Sequence, residues 1–484
     1  MQTLSFCSLS PPKLSGINSI EKKVIWVRSK SELIPSFNLR RCEKISHGDW
    51  ISRMPDDILI SILSLLPLED AAKTSILSSR WTNLWKHTPS LDFDVAHDAL
   101  LCKIINQKAL QEQKRCKYAN WVNCILQKHK APTLRKFRIK FDLKKPSHKA
   151  ITQWLEFVFA KKVQNLVLDL SLYVHFGTCS DQHYAFPKEF LFGGGPSAFQ
   201  NNMLVDIKLL KILSLKSVNV SGEAIEFVLH NCPLLEELVV HGSYELSNLE
   251  VCGSSLVLKQ LEICNNFNLK SIKVSAPHLT SLGFTIGRGK SNILLLENVP
   301  MLIEVSILCS SYEILLPSFS RCISQVQVLN LNLSDPKDSP ELSKLRMLVI
   351  EYAAWNNQSL IGVTTLIRAS PYLEGFVLNE LCSDPSWSDR HVKNTIKFIH
   401  RHLKVIKVCG YYDRTSDELV KCILDNSVAL EKITIDPRTL PGPYAALDPV
   451  ELTDEELNYE EIGRNFAKQQ LEGEVPQHVE LIIL

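Results

Sequence analysis

One short phrase, apolar-x-x-apolar-x-apolar, recurs along most of this chain, and nothing else in the sequence constrains the fold as strongly. Its first position falls at Leu134, Val163, Leu210, Leu235, Leu258, Leu279, Leu302, Val326, Leu345, Leu373, Leu403 and Leu430. The successive gaps are 29, 47, 25, 23, 21, 23, 24, 19, 28, 30 and 27 residues, mostly within the roughly 20–29-residue period of stacked leucine-rich units. An apolar chain produces such phrases by accident, so their context decides. Pro132, Pro233, Pro277, Pro300 and Pro371 each stand two residues before a first position, although proline supplies only 23 of 484 residues. APTLRKFRI, CPLLEELVV, APHLTSLGF, VPMLIEVSI and SPYLEGFVL are therefore one motif.

The end of the phrase reads as a short strand whose alternate apolar side chains point inward. The stretch before it, such as Glu223 to Leu229, reads as a helical turn on the outer side. No unit of this size buries its apolar edge alone, so the units stack into a curved α/β solenoid with its strand face on display. Residues lying between the inward ones are the candidates for gripping a target protein: Glu237 and Val239, Gln260 and Glu262, Met347 and Val349, Val405 and Lys407. Any one of them alone is an ordinary solvated strand residue. The long gap before Leu210 contains Gly193-Gly194-Gly195-Pro196 and aromatic residues, which predicts an enlarged loop over 173–208.

Ahead of the array lies a segment of different character. Pro55 suits the first position of a helix, and Asp56 and Asp57 sit where the helix dipole favours negative charge. Ile58, Leu59, Ile62, Leu63 and Leu66 follow as one wide apolar stripe that Pro67 ends. A second helix is predicted from about Glu69, with Leu77, Trp81, Leu84 and Trp85 on one face. Periodicity alone fits a self-contained helical hairpin equally well. Some forty residues hardly build a core unaided, however, so a stripe this wide is expected to meet something else.

The strings MPDDIL, ILSLLP and TSILSSRWTNLW over residues 54–85 resemble the plant F-box. The resemblance implies docking onto a Skp-type adaptor, and through it onto a cullin and a RING subunit. Carried over residue by residue, it assigns adaptor contact to Pro55, Ile58, Leu59, Ile62, Leu63, Leu66, Leu77, Arg80, Trp81, Leu84 and Trp85. Met54 departs from the usual leucine and Ser79 from a common lysine; methionine replaces leucine volume for volume. Further on, LKVIKV at 403–408, ELVKCIL at 418–424 and LEK at 430–432 resemble the FBD domain, with an expected order of helix 389–400, strand 403–408, helix 416–424 and strand 430–435. This part is expected to continue and cap the solenoid. From Tyr444 the tail carries ten acidic residues against Arg464 and Lys468 and reads as a solvated acidic stretch ending in a strand-like VELIIL.

The predicted organisation is an α+β multidomain chain: an extension over 1–45, an all-α F-box module over 46–92, a leucine-rich repeat α/β solenoid over 93–365, an FBD-like α/β cap over 366–440 and an acidic tail over 441–484. The extension has eight Lys/Arg against Glu21, Glu32 and Glu43. That bias is shared by transit peptides and plain tails, and a flexible extension is the preferred reading.

The expected function is that of a non-catalytic receptor subunit of a Skp-cullin-F-box ubiquitin ligase, the alternative being a repeat scaffold that binds the adaptor without forming an active ligase. A net charge of +2 with thinly spread basic residues gives no pull toward nucleic acid or membrane. The 14 cysteines lack a CxxC pair and read as reduced buried thiols of an intracellular protein, in cytoplasm or nucleus. No metal, cofactor or catalytic set is expected. Gly287-Arg288-Gly289-Lys290-Ser291 has Phe284 where a phosphate loop needs glycine, and a strand-like ILLL where it needs a helix. His400-Arg401-His402 reads as a surface pair without partners at metal spacing.

Overall fold

The computed structural model describes residues 50–94, 108–171, 183–188, 207–266, 268–285, 293–308, 319, 322–333, 341–352, 361–380, 397–411, 414–438 and 454–484. The expected extension over 1–45, the Gly287–Ser291 segment and most of the enlarged loop, at 172–182 and 189–206, lie outside them.

In chain order the strands are β1 (Ser90–Asp94), β2 (Lys136–Lys140), β3 (Asn165–Asp169), β4 (Tyr184–Ala185), β5 (Ile212–Lys216), β6 (Val218–Asn219), β7 (Glu237–His241), β8 (Asn248–Cys252), β9 (Gln260–Cys264) and β10 (Ser271–Ser275). They continue with β11 (Ser281–Thr285), β12 (Ile293–Leu296), β13 (Glu304–Leu308), β14 (Val328–Leu333), β15 (Met347–Tyr352), β16 (Gly375–Glu380), β17 (Val405–Cys409), β18 (Lys432–Asp436) and β19 (Glu480–Ile483). Fourteen of them form one sheet in the order β1-β2-β3-β5-β7-β9-β11-β13-β14-β15-β16-β17-β18-β19. Neighbours are parallel throughout, as a one-directional stack of repeats requires.

Each of the twelve phrase positions is at most 2% exposed and stands two residues before its strand. The inward strand residues, such as Leu261 and Ile263 of β9 or Phe376 and Leu378 of β16, are fully buried and belong to one continuous core. Buried polar groups are spent on turns between rungs. Asn266 accepts from the Ser243 N–H at 2.9 Å and donates to the Val240 carbonyl at 3.0 Å.

The outer course of the repeats differs from the expected run of helical turns. Helices do occupy it at His148–Ala160, Gly222–Asn231, Ile361–Arg368 and Arg414–Asn426. In the centre it is instead a second parallel sheet, β8-β10-β12. Leu249 and Val251, like Ile272 and Val274, alternate with exposed or half-buried residues, and that period of two selects a strand. The first turn of the helix Gly222–Asn231 presses against β8 so closely that a Cβ on Gly222 would lie 2.0 Å from the Asn248 carbonyl oxygen.

Residues 441–453 lie outside the described residues, and from Asp454 on the acidic C-terminal stretch is not a solvated tail. Residues Asp454–Leu471 form a helix, with Ala467 and Leu471 wholly buried, and β19 pairs with β18 as the last strand of the main sheet. Glu474 and Glu480 are exposed and meet Lys421 at 3.7 Å and Lys432 at 3.2 Å, while Ala467 and Leu471 turn inward. The segment that resembles an FBD domain contributes β16, β17 and β18 to the same sheet rather than forming one of its own. Of the helix expected over 389–400, residues 389–396 lie outside the described residues and 397–399 are not helical.

His400 is not at the surface. It is 3% exposed and ties one repeat to the one before it. Its Nε2 lies 2.9 Å from the Ser370 carbonyl, to which it donates, while Nδ1 accepts the Leu403 N–H at 3.0 Å. His129 similarly sets Nε2 2.9 Å from the Thr88 carbonyl. Burial lowers the pKa of both below the ordinary histidine value. Their contribution to stability is thus complete above the unfolded value near 6.5 and is lost as pH falls from there toward the folded values, because the unfolded chain binds protons that the folded one refuses. Urea midpoints are expected to hold from pH 7.5 to about 6.5 and to drop below it, the unfolding free energy falling by up to about 1.4 kcal/mol per pH unit per histidine, and His400→Gln to flatten the dependence. A midpoint still constant at about pH 5.5 would show that neither ring is held neutral.

Candidate protein-docking site

Two surfaces stand out, one on the helical module and one on the strands. The helix Asp56–Leu63 opens with Asp56 and Asp57 in its first turn, and Pro67 precedes the next helix, Leu68–Lys73. The second predicted helix is in fact broken into Leu68–Lys73, a 3-10 turn at Thr74–Ile76, the single turn Trp81–Leu84 and another 3-10 turn at Trp85–His87. Leu77 therefore does not share a face with Leu84 and Trp85.

The eleven residues predicted for docking divide between an interior and a surface. Leu59 and Leu63 are 1% exposed, and Leu84 and Trp85 are also buried. All four belong to the core cluster that includes Leu91 and Phe93 of β1, so the module packs onto the first rung of the solenoid and is not a separate body. Trp81 is half-buried against the same cluster. Arg80 braces the two halves of the module: its Nε and Nη2 donate to Asp56 Oδ1 at 2.8 and 2.6 Å, and Nη2 also donates to the Met54 carbonyl. These contacts hold the module together.

Ile58 (46%), Ile62 (44%), Leu66 (43%) and Leu77 (63%) are exposed, as is Pro55. Sequence reasoning missed Ile51, Leu65 and Ile76, at 54%, 81% and 88% exposure. The available signal was that Leu65 and Ile76 sit beside turns, where a large aliphatic side chain has no inward route. Seven of the nineteen large apolar residues exposed among the described residues thus crowd into positions 51–77. Apolar exposure of that density marks a protein-binding surface.

The second surface is the outward face of the main sheet. Its first end is a self-neutralising lattice, in which Asp92 meets Lys136 at 2.6 Å and Asp94 meets Arg138 at 2.6 Å. Further along, Glu237 lies opposite Gln260 and Val239 opposite Glu262. Val239 does not face a partner: it is 3% exposed, short, and flanked in register by the longer Glu262 side chain. Burial raises the Glu237 carboxyl and the nearby Glu262 charge raises it further, whereas contact with the His241 imidazole lowers Glu262. In the later repeats Met347 and Val405 flank Gly375 in register, and Val349, Val377 and Lys407 form the next row. With Met347 37% and Val405 41% exposed, this is an open apolar patch edged by one cation. No helix among the described residues is long and apolar enough to cross a membrane, and their eight cysteines are all free.

The chain matches the F-box domain family over residues 51–92 and the family described as At1g61320/AtMIF1, LRR domain, over residues 125–484. Three similar curated proteins are from Arabidopsis thaliana. F-box/LRR-repeat protein At3g03360 is 31% identical over 49% of this chain and 47% of its own length. Putative FBD-associated F-box protein At5g56820 is 27% identical over 81% of this chain and 87% of its own. Putative F-box/FBD/LRR-repeat protein At4g13965 is also 27% identical, over 82% and 91%. This chain thus spans about half the length of the first and about nine tenths of the other two.

Proposed function

We propose that this chain, which belongs to the F-box/LRR-repeat protein family, is the substrate-recognition subunit of a Skp-cullin-F-box ubiquitin ligase. One observation carries the reading: the helical module leaves Ile58, Ile62, Leu65, Leu66, Ile76 and Leu77 in solvent while Leu59, Leu63, Leu84 and Trp85 are spent on the chain's own core. Fully burying one such side chain is worth about 1.5–3 kcal/mol, so six of them supply ample drive for a Skp-type adaptor to cover them. The adaptor bridges to cullin and the RING subunit.

The strand face then holds the target protein, with the patch of Met347, Val349, Val377, Val405 and Lys407 as its contact region and Glu237, Gln260 and Glu262 as a polar neighbour. The chain performs no bond-making of its own. Holding target and ubiquitin-carrying enzyme on one rigid frame raises the effective concentration of target lysines.

Affinity purification from plant extract tests this. A receptor subunit brings down adaptor and cullin together. Adaptor without cullin would contradict the proposal and support a repeat scaffold outside an active ligase.

A further inference from the structure

We infer that His241, Glu262 and Cys264 form a binding site for a thiophilic divalent cation, Zn2+ by its chemistry, on the outward face of the central repeats. β7 and β9 are neighbours in the main sheet, with His241 opposite Cys264 in register and Glu262 two residues earlier on the same face as Cys264. The imidazole nitrogen, carboxylate oxygen and sulfur all lie within 4.8 Å of one another. A tetrahedral site with bonds of about 2.0–2.3 Å holds such atoms about 3.5 Å apart, a contraction that rotation about the side-chain bonds supplies.

A second observation points to a ligand at this spot. His241 Nε2 comes within 2.9 Å of Glu262 Oε1, and Thr285, on the strand beside β9, contacts the Cys264 thiol, so nitrogen, oxygen and sulfur converge on one spot. A bound cation takes the place of the proton between that nitrogen and oxygen, with the ring in its Nδ1–H tautomer. Nitrogen, oxygen and sulfur together suit zinc and do not suit the hard cations calcium and magnesium. Three protein ligands leave the fourth position open toward the face proposed for the target, where water or a donor side chain of a partner completes the shell.

Burial pushes the Cys264 thiol up to about 12, so the apo site holds S–H. Binding breaks that bond, releases the proton to solvent and forms the metal–sulfur bond, with no change of oxidation state. Lys216, opposite His241 on β5, faces the cluster and opposes the incoming charge.

The test is titration of the full-length, chelator-stripped protein with Co2+, a spectroscopic stand-in for zinc. The expected result is a thiolate-to-cobalt charge-transfer band saturating at one equivalent and displaced by Zn2+. Cys264→Ser should abolish it, His241→Gln should weaken binding at least tenfold, and Cys252→Ser, altering an exposed thiol elsewhere, should leave it intact. Should Cys264→Ser fail to fold, His241→Gln decides. A band that survives either site substitution at full affinity, or no saturable band, would overturn the assignment.

Discussion

Ile62→Asp is expected to abolish adaptor capture while the thermal transition of the chain stays within about 1 °C of the parent. Leu63→Asp, one residue along, is expected to unfold the module itself. Ile62 is 44% exposed and lies outside the core cluster, so a carboxylate there costs the free chain little, and surface substitutions of this kind stay within about 0.5 kcal/mol. In the complex that carboxylate enters an apolar contact without a partner, at a cost of several kcal/mol. A loss of about 3 kcal/mol is already a factor of more than 100 in dissociation constant. Leu63 is 1% exposed within the core shared with Trp85 and Leu91, so the same charge is buried in the free chain and destabilises it before any partner arrives. Calorimetry for stability and pull-down with purified adaptor separate the two. If Ile62→Asp still binds, the docking face is not the exposed row.

The second large effect is at the other end of the chain. Leu471→Ala is expected to cost about 3 kcal/mol, because the side chain is wholly buried with Ala467 against the last repeats. Deleting residues 454–484 should go further and leave an aggregation-prone protein. The cut removes the Phe466 ring from beside Tyr411, at 6.0 Å, and uncovers the whole edge of β18, whose carbonyls at Glu431 and Ile435 now accept from Glu480 and Leu484 at 2.8 and 2.9 Å. Ile462→Ala, at a 50% exposed position of the same helix, is the control and should change nothing measurable. Static light scattering and urea midpoints read both effects. An unchanged midpoint for Leu471→Ala would return this stretch to the status of a solvated tail.

The repeats were legible because each rung needs the same inward residues, and every phrase position identified in the sequence lands in the core two residues ahead of a strand. The two rungs the phrase missed are the terminal ones. There Thr88 and His478 stand where the others have an apolar residue. Thr88 is buried all the same, its hydroxyl donating to the Trp85 carbonyl at 2.8 Å. A polar residue satisfied by a local hydrogen bond is invisible to a pattern that scores only apolarity.

The docking face was half legible for a related reason. Ile58 and Leu59, like Ile62 and Leu63, are adjacent and equally apolar, so periodicity gives a wide stripe but not which flank of it turns inward. That choice is made by the turns Trp81–Leu84 and Trp85–His87, which the helix meets only in the folded chain. On the strand face, alternation located Glu237 and Met347 but not the burial of Val239, which depends on the length of its neighbour in the next repeat.

The central claim is that the exposed aliphatic row of residues 51–77 is the surface through which this chain joins the ligase. Hydrogen–deuterium exchange of the full-length protein, alone and bound to purified Skp-type adaptor, tests it most directly. Slowed exchange is expected over residues 51–66 and 74–81, with the strands from β2 to β19 unchanged. Protection confined to the outward face of the main sheet, with the helical module exchanging as before, would contradict it.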